Sequence, residues 1–477
     1  MPLYSVIGAA VADGGFVVRH PLMARTAEGA AAAGGAVFDV PAPDWIGSLY
    51  FVLLGALLAT AVLFIKKKLP AVWAGAIAVA AVRSAAMLAA LMLTGEIFCS
   101  PADDPGYLAT ATGILDGDFS GPWSFTIGQG FFYWPFMWIL GTREYFAFAP
   151  AYSYFSALVL SPLTTVLVFL FLRRLTGKTA ASWAAGMVLA IYPFVFHWLP
   201  TGNGQTAVQW LSLPEPGWSL VNYAVFIAAG FNTMSDTSAC LLVVMLLFLC
   251  ALPPKRWRCG VAAAVGLLFG FACLVRLNNI FYAPALALLW MLGRDRRFSR
   301  SAWCEYAVGV AAAFLAFLPQ LLINRIQHGG LLVFPYVEHN NLSSSGFLWN
   351  YVKVNVPFLF YANRWWWSAG ATALLLVKDR KTRTVLTLWS VPALLFFCGY
   401  PCTTFDAVRF ILPVFGAFIG AVCLLPWRNW KIGLFGAVAA SAVAALGPWV
   451  ALTLTLAALL RAGRDAAVLL RSKPGPV

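Results

Sequence analysis

The feature that most constrains this chain is an alternation. Apolar runs of roughly the 20 residues needed to cross a bilayer recur along its whole length. They fall at about 46–65, 71–94, 151–172, 180–197, 235–253, 259–275, 279–293, 302–324, 356–377, 384–400, 409–427 and 432–458. Basic clusters separate them at every second connection: Lys66/Lys67/Lys68, Arg173/Arg174/Lys178, Lys255/Arg256/Arg258, Arg294/Arg296/Arg297/Arg300, Lys378/Arg380/Lys381/Arg383 and Arg428/Lys431. Hydrophobic residues make up 61% of the chain and charged residues 10%. A soluble surface needs about a quarter of its residues charged, so a water-soluble globule and a disordered chain are both excluded. The expected fold class is all-α, a polytopic integral membrane protein of about twelve (11–13) transmembrane helices.

The placement of charge sets the expected topology. Short loops rich in Lys and Arg stay in the cytoplasm, which puts the six clusters inside and the alternate connections outside. These clusters hold more than half of the 32 basic residues. The net charge of +14 is therefore a record of topology, and nucleic acid is not an expected partner. Three outward connections are long, about 95–150, 198–234 and 325–355. Acids gather there or at the edges: Glu96, Asp103, Asp104, Asp116, Asp118, Glu144, Glu215, Asp236, Glu338 and Asp406. The expected organisation is an N-terminal tail over 1–45, a membrane unit over 46–460 and a C-terminal tail over 461–477. Residues 1–18 are weakly apolar and interrupted by Asp13, which does not read as a signal peptide. A hairpin bent at Pro448 would return the C-terminal tail to the cytoplasm.

The most informative stretch is 99–141. It opens with Asp103-Asp104 and continues as YLATATGILDGDF, whose apolar spacing suits a short helix lying in the interface. A Gly-rich turn and an aromatic run (Phe131, Phe132, Tyr133, Trp134, Phe136, Trp138) follow, a density that belongs at the membrane–water boundary. An acidic pair beside an apolar wall is placed to take a proton from a hydroxyl. The plainer reading makes Asp104, before Pro105, a helix cap. Asp236 opens another span and has the same two readings. Arg276 and Arg409 sit near outer ends of spans, where arginine is costly unless paired or hydrated. Arg83 lies within an Ala-rich helix and is a candidate partner for a polar group of a neighbouring span. Arg364, beside three tryptophans, reads as a headgroup anchor, and Lys353 as a phosphate ligand or a headgroup contact.

These segments together resemble the GT-C glycosyltransferases, polytopic enzymes that use lipid-phosphate sugars, and among them the protein O-mannosyltransferase and lipid A aminoarabinose transferase type. Asp103-Asp104-Pro105-Gly106-Tyr107 falls where that family has an acidic pair followed by Tyr in the first large outer loop. LRRLTGKTAASWAAGMVLAIYP (172–193), SDTSACLLVVMLL and GLLFGFACLVRLNNIFYAP are similar to its next segments, in order. FLPQLLINRIQHGGLLVFPY (317–336) and VRFILPVFGAF follow, the last with Phe410 where the family has Tyr. The similarity covers about residues 70–427.

The resemblance implies a GT-C-like fold with interfacial helices in the first large periplasmic loop. It implies an inverting glycosyltransferase that moves a sugar from a polyprenyl-phosphate donor to a hydroxyl of a lipid or envelope-glycan acceptor, a protein acceptor remaining open. Asp103 takes the role of general base, with Asp104 orienting acceptor or base. Arg276 and Arg409, with Lys353, become the donor phosphate ligands. Asp236, Tyr107, Tyr336 and His339 become residues that back the site or bind the acceptor. No cofactor is required by this reading; adjacent carboxylates can hold a divalent ion, but the resemblance does not imply one. The Ala/Gly/Arg-rich usage suggests a bacterium, hence a multi-pass inner-membrane protein with its site facing the periplasm, among membrane lipids. The alternatives are a polysaccharide polymerase or ligase, and a lipid-linked sugar transporter or flippase. The last predicts inverted repeats and broken helices in matching halves, which are not found in the sequence.

Overall fold

The computed structural model describes residues 16–17, 36–39, 45–94, 96–99, 104–121, 123, 125–196, 230, 233–252, 257–294, 297–334, 347–400, 410–425 and 429–472. In chain order the helices are α1 (Trp45–Ile65), α2 (Ala71–Thr94), α3 (Asp104–Asp116), α4 (Gly130–Leu140), α5 (Tyr145–Phe155), α6 (Ser161–Thr176) and α7 (Thr179–Phe196). There follow α8 (Asp236–Cys250), α9 (Arg258–Val275), α10 (Ala283–Leu292), α11 (Arg300–His328), α12 (Trp349–Ala362), α13 (Arg364–Leu376) and α14 (Arg380–Gly399). The last three are α15 (Leu412–Cys423), α16 (Trp430–Leu446) and α17 (Pro448–Arg471). Three short strands, β1 (Phe16–Val17), β2 (Ala36–Asp39) and β3 (Glu96–Cys99), form a small sheet in that order, with β2 antiparallel to β3. The sheet is an addition to the all-α expectation, and β3 lies just ahead of the acidic pair.

Five helical stretches among the described residues are long and apolar enough to cross a bilayer: 71–88, 147–176, 258–275, 300–328 and 380–399. Six shorter apolar helices accompany them. The chain is an integral membrane protein by the length and apolarity of its helices. Where the expected spans and the helices differ, the cause is local. The run at 151–172 extends to 145–176, because a five-residue π-helical turn, Ser156–Leu160, joins α5 to α6 without a break. The run at 356–377 divides at Asn363 into α12 and α13. Arg364, expected as a headgroup anchor, instead donates from Nε to the Ala444 carbonyl at 2.6 Å. That carbonyl belongs to the last turn of α16, where four C=O groups have no partner within the helix.

The bundle closes by small residues and by buried charge. A Cβ built on Gly266 would lie 2.1 Å from the Gly309 carbonyl oxygen, and one on Gly270 would lie 2.2 Å from that of Ala313. Helices α9 and α11 therefore meet backbone to backbone, the arrangement small-xxx-small sequences permit in a bilayer. The apolar core runs from α6 and α8 through α14 and α15, with Trp367, Trp389, Phe171 and Phe415 among its fully buried side chains.

At the end carrying the basic clusters, buried Glu305 accepts from Arg294 at 2.6 Å. Buried Asp465 of α17 accepts from Arg383 at 2.9 and 2.5 Å and forms an ion pair with Arg380 at 3.1 Å. The chain turns at Gly447, whose φ of 102° lies in the left-handed region that favours glycine. Helix α17 then brings the C-terminal segment back to the clusters at 294–300 and 378–383, the direction the hairpin reading expects. The stretch from 461 to 471, read from sequence as part of a tail, is a continuation of α17.

Candidate functional site

The site forms where α3, α8 and α9 meet at the end opposite the basic clusters. Helix α3 begins at Asp104 and carries the chain away from the acidic pair. One turn on, the buried Tyr107 shares a 3.0 Å hydrogen bond with the Ser235 hydroxyl and stacks on Phe125, centroids 4.5 Å apart. Ser235 is the residue before Asp236, the first residue of α8. A carboxylate in the first turn of a helix is favoured by the partial positive charge of the exposed N–H groups. The Asp236 side chain is 1% exposed and accepts from Arg276 Nη1.

Arg276 comes from the far end of α9. The helix stops at Val275 and Arg276 itself is extended, with φ −155° and ψ 115°. A 3-10 turn, Leu277–Tyr282, then leads into α10. The Asn279 side chain secures this break by donating to the Ala272 carbonyl at 2.8 Å. The Arg276 side chain is 13% exposed, and its guanidinium carbon lies 4.4 Å from the centroid of the Phe410 ring. The cation is thus held by a carboxylate on one side and an aromatic face on another. Phe397, at 5.1 Å between centroids, and Tyr400, at 5.9 Å, fix Phe410.

The turn before α8 is held from several elements. Gln129, fully buried, donates to Tyr152 Oη at 2.8 Å and to the Thr233 carbonyl at 3.1 Å, and accepts from Ser238 Oγ at 2.9 Å. Tyr133 Oη donates to the same carbonyl at 2.6 Å, and Tyr145 Oη to Thr233 Oγ1 at 2.5 Å. The aromatic run at 131–138, assigned from sequence to the membrane boundary, is thereby divided. Tyr133 is fully buried on the site side, whereas Trp138 is 84% exposed. Gln129→Leu removes the donor to Tyr152 Oη and the Thr233 carbonyl and one of the two acceptors of Ser238 Oγ, which keeps the Ser235 carbonyl at 3.1 Å. It is expected to cost about 1–3 kcal/mol, read as a lowered Tm in detergent, while Gln129→Glu costs less if the acceptor role dominates.

Helix α11 supports the first loop from outside. Gln320, Asn324 and Gln327 recur at i, i+4 and i+7, one face of a helix. Gln320 accepts from Ile127 N at 3.0 Å and donates to Asn324 at 2.8 Å. Gln327 accepts from Trp123 N at 3.2 Å and donates to the Phe119 carbonyl at 3.1 Å. A Cβ on Gly128 would lie 2.3 Å from the Leu274 carbonyl carbon. The loop can therefore reach the end of α9 only with glycine there.

Other acids of the first loop have structural partners. Asp116 pairs with Arg143. Asp118 accepts from the Ser120 N–H at 3.0 Å and hydroxyl at 2.6 Å. Those bonds stabilise the charged form and hold its carboxyl below the usual carboxylate range.

Of the residues singled out in the sequence, the structure brings together Tyr107, Asp236 and Arg276. Lys353 is exposed on α12, and among the described residues no bond joins it to this cluster. The backbone of Asp104 is described as the start of α3. Asp103, Arg409, Tyr336 and His339 lie outside the described residues. Sequence reasoning did not pick out Gln129 or Phe410's aromatic support, and met Ser235 only as the serine of the Ser-acid pair in SDTSACLLVVMLL. A polar residue between apolar neighbours, as in TIGQGFF, and the i, i+4, i+7 amides of α11 were the available signals.

No protein-family model matches the chain, and no curated protein matches it. The crystal structure of the Archaeoglobus fulgidus oligosaccharyltransferase, tethered with an acceptor peptide containing the NVT sequon via a disulfide bond, is similar with a TM-score of 0.42 and 13% identity. The alignment covers 78% of this chain and 52% of that one, so the chain spans about half the length of that structure. A likeness of this size carries no argument about fold, reaction or residues.

Proposed function

We propose that the protein is an inverting glycosyltransferase of the GT-C type, moving a sugar from a polyprenyl-phosphate donor to the hydroxyl of a lipid or envelope-glycan acceptor. The observation that carries this reading is the Tyr107–Ser235 bond. It ties the helix that begins at Asp104 to the residue before Asp236, which supports a site that joins carboxylate and guanidinium chemistry.

In the proposed reaction the Asp103 carboxylate takes the proton of the acceptor hydroxyl as its oxygen attacks the anomeric carbon. The new C–O bond forms as the bond from that carbon to the phosphate oxygen breaks. The lipid phosphate leaves with the electron pair, and one displacement inverts the carbon. Asp104 orients the acceptor or the base. Arg276 stabilises the charge growing on the phosphate, with Arg409 and Lys353 as further candidates. Asp236 and Phe410 hold the Arg276 guanidinium in place, and Tyr107 ties the first turn of α3 to Ser235 beside them. Tyr336 and His339 remain candidates for acceptor contacts. The engagement of Asp116 and Asp118 elsewhere in the loop favours the acidic pair as the base.

The test is Asp103→Asn in membranes supplied with labelled polyprenyl-phosphate sugar. Loss of transfer by about 10²–10⁴-fold is expected for removal of a general base. Full transfer by a normally folded variant removes Asp103 from that role. Absence of transfer by the wild type from any polyprenyl-phosphate sugar removes the donor class.

A further inference from the structure

Beneath Asp236, a cavity of about 70 Å³ lies among α2, α6, α8, α14 and α15. Arg83, Ser161, Thr164, Thr165, Thr237, Cys240 and Trp389 line it among a majority of apolar side chains. Arg83 is buried, with Nε donating to Ser161 Oγ at 2.9 Å and Nη1 to the Ala190 carbonyl at 3.1 Å. This is the neighbouring-span partnership expected for it, and the π-helical turn at 156–160 immediately precedes Ser161. Trp389 is fully buried, and its Nε1–H has no hydrogen-bond partner. Phe171, edge-on at 5.6 Å between centroids, holds the indole from one side, and Gly416 leaves room for it on another. An unsatisfied buried donor costs about 1–3 kcal/mol, which an acceptor in the cavity would offset.

Two helices also start at this cavity. Thr237 lies in the first turn of α8, and Leu412 and Pro413 lie in the first turn of α15. Helix N-termini present partial positive charge and favour anions. Arg83, the Trp389 indole whose N–H has no partner among the described residues, and the first turn of α15 thus border one space and favour an acceptor that carries negative charge. The space is well above the roughly 10–15 Å³ that one water needs, so a tetrahedral oxyanion of five heavy atoms fits within it.

We infer that this cavity is a binding site for a phosphate-class tetrahedral oxyanion, separate from the Asp236–Arg276 pair above it. The inference does not rest on glycosyl transfer. The same chemistry could arrive as free inorganic phosphate or as the monoester head of a lipid, and the two sources call for separate probes.

The full chain, purified in an uncharged detergent, is titrated calorimetrically with inorganic phosphate and, separately, with dodecyl phosphate. Saturable binding of at least one probe is expected, weakened about tenfold in Trp389→Phe, which removes the N–H and keeps a ring. Binding of inorganic phosphate alone identifies a solute site, and binding of dodecyl phosphate alone identifies a lipid-head site; either supports the inference when Trp389→Phe weakens it. Binding of neither probe overturns it, as does binding that Trp389→Phe leaves unchanged. Binding lost in Arg276→Gln but kept in Trp389→Phe assigns the anion to the upper pair and also overturns it. Should Trp389→Phe not remain monodisperse, Thr237→Val takes its place under the same criterion.

Discussion

Asp236→Ala is expected to cost about 3–5 kcal/mol of stability, the range for removing one partner of a buried ion pair. The carboxylate is almost wholly buried against Arg276, so its loss leaves a guanidinium at the start of α8 without the charge that accompanies it. The Phe410 face cannot replace a carboxylate, since a cation–π contact contributes only about 0.5–2 kcal/mol. Arg276→Met in the same background is expected to restore much of the loss, because an apolar side chain of similar length needs no counter-charge. The measurement is a double-mutant cycle on Tm in detergent. If the double variant is as unstable as the sum of the singles, the pair is not a coupled unit. Arg276→Met alone leaves the Asp236 carboxylate buried without the guanidinium, so it is expected to lower Tm about as much as Asp236→Ala does, and the double variant to regain stability without regaining transfer.

The second large effect is expected at the crossing of α9 and α11. Gly270→Leu places carbon where the Ala313 carbonyl oxygen stands, at 2.2 Å, with Ala316 Cβ at 2.7 Å. A backbone carbonyl cannot rotate away as a side chain can, so the helices must part. Overpacking in a core costs about 1–3 kcal/mol, and a backbone collision belongs at the upper end of that range or beyond. The consequence reaches the site, because α9 ends in Arg276 and α11 carries the Gln320 that holds Ile127. Gly463→Ala is the control, since a Cβ there meets nothing within 4 Å and alanine is the better helix former. The expected result is a lowered Tm and poor monodispersity for Gly270→Leu, with Gly463→Ala at or above wild type. Equal stability of the two would show that α9 and α11 do not depend on close backbone approach.

The helices were largely legible in the sequence, and particular residues show why. Runs such as 71–94 and 259–275 match α2 and α9 within a residue, because an apolar stretch in a bilayer has no alternative to satisfying its backbone internally. The hairpin at Pro448 was legible for a similar reason, since a proline inside an apolar run disrupts helical bonding. The break at Asn363 was not legible. It is tied to Arg364 meeting the end of α16, eighty residues away in the chain. Nor did the sequence reveal that Arg294 and Arg383 are buried partners of Glu305 and Asp465 as well as markers of topology.

For the site, the sequence singled out Asp236 and Arg276 one at a time, each with a plain structural reading beside the functional one, and Tyr107 only through the family resemblance. Residue type and depth make an arginine near the end of a span expensive, and that much is local physics. Pairing is not local. Asp236 and Arg276 are forty positions apart, and Tyr107 and Ser235 lie further apart still. Their contacts depend on Gly128 allowing the loop onto α9 and on Gln129 holding the turn before α8. The sequence by itself determined that this chain folds in a membrane, roughly where its helices run and which of its residues are costly to bury, because those follow from hydrophobic length and charge. Tertiary structure alone decided which costly residues meet, which acids serve the loop, and that a cavity bordered by Arg83 and Trp389 lies beneath Asp236, because those depend on helices brought together from distant parts of the chain.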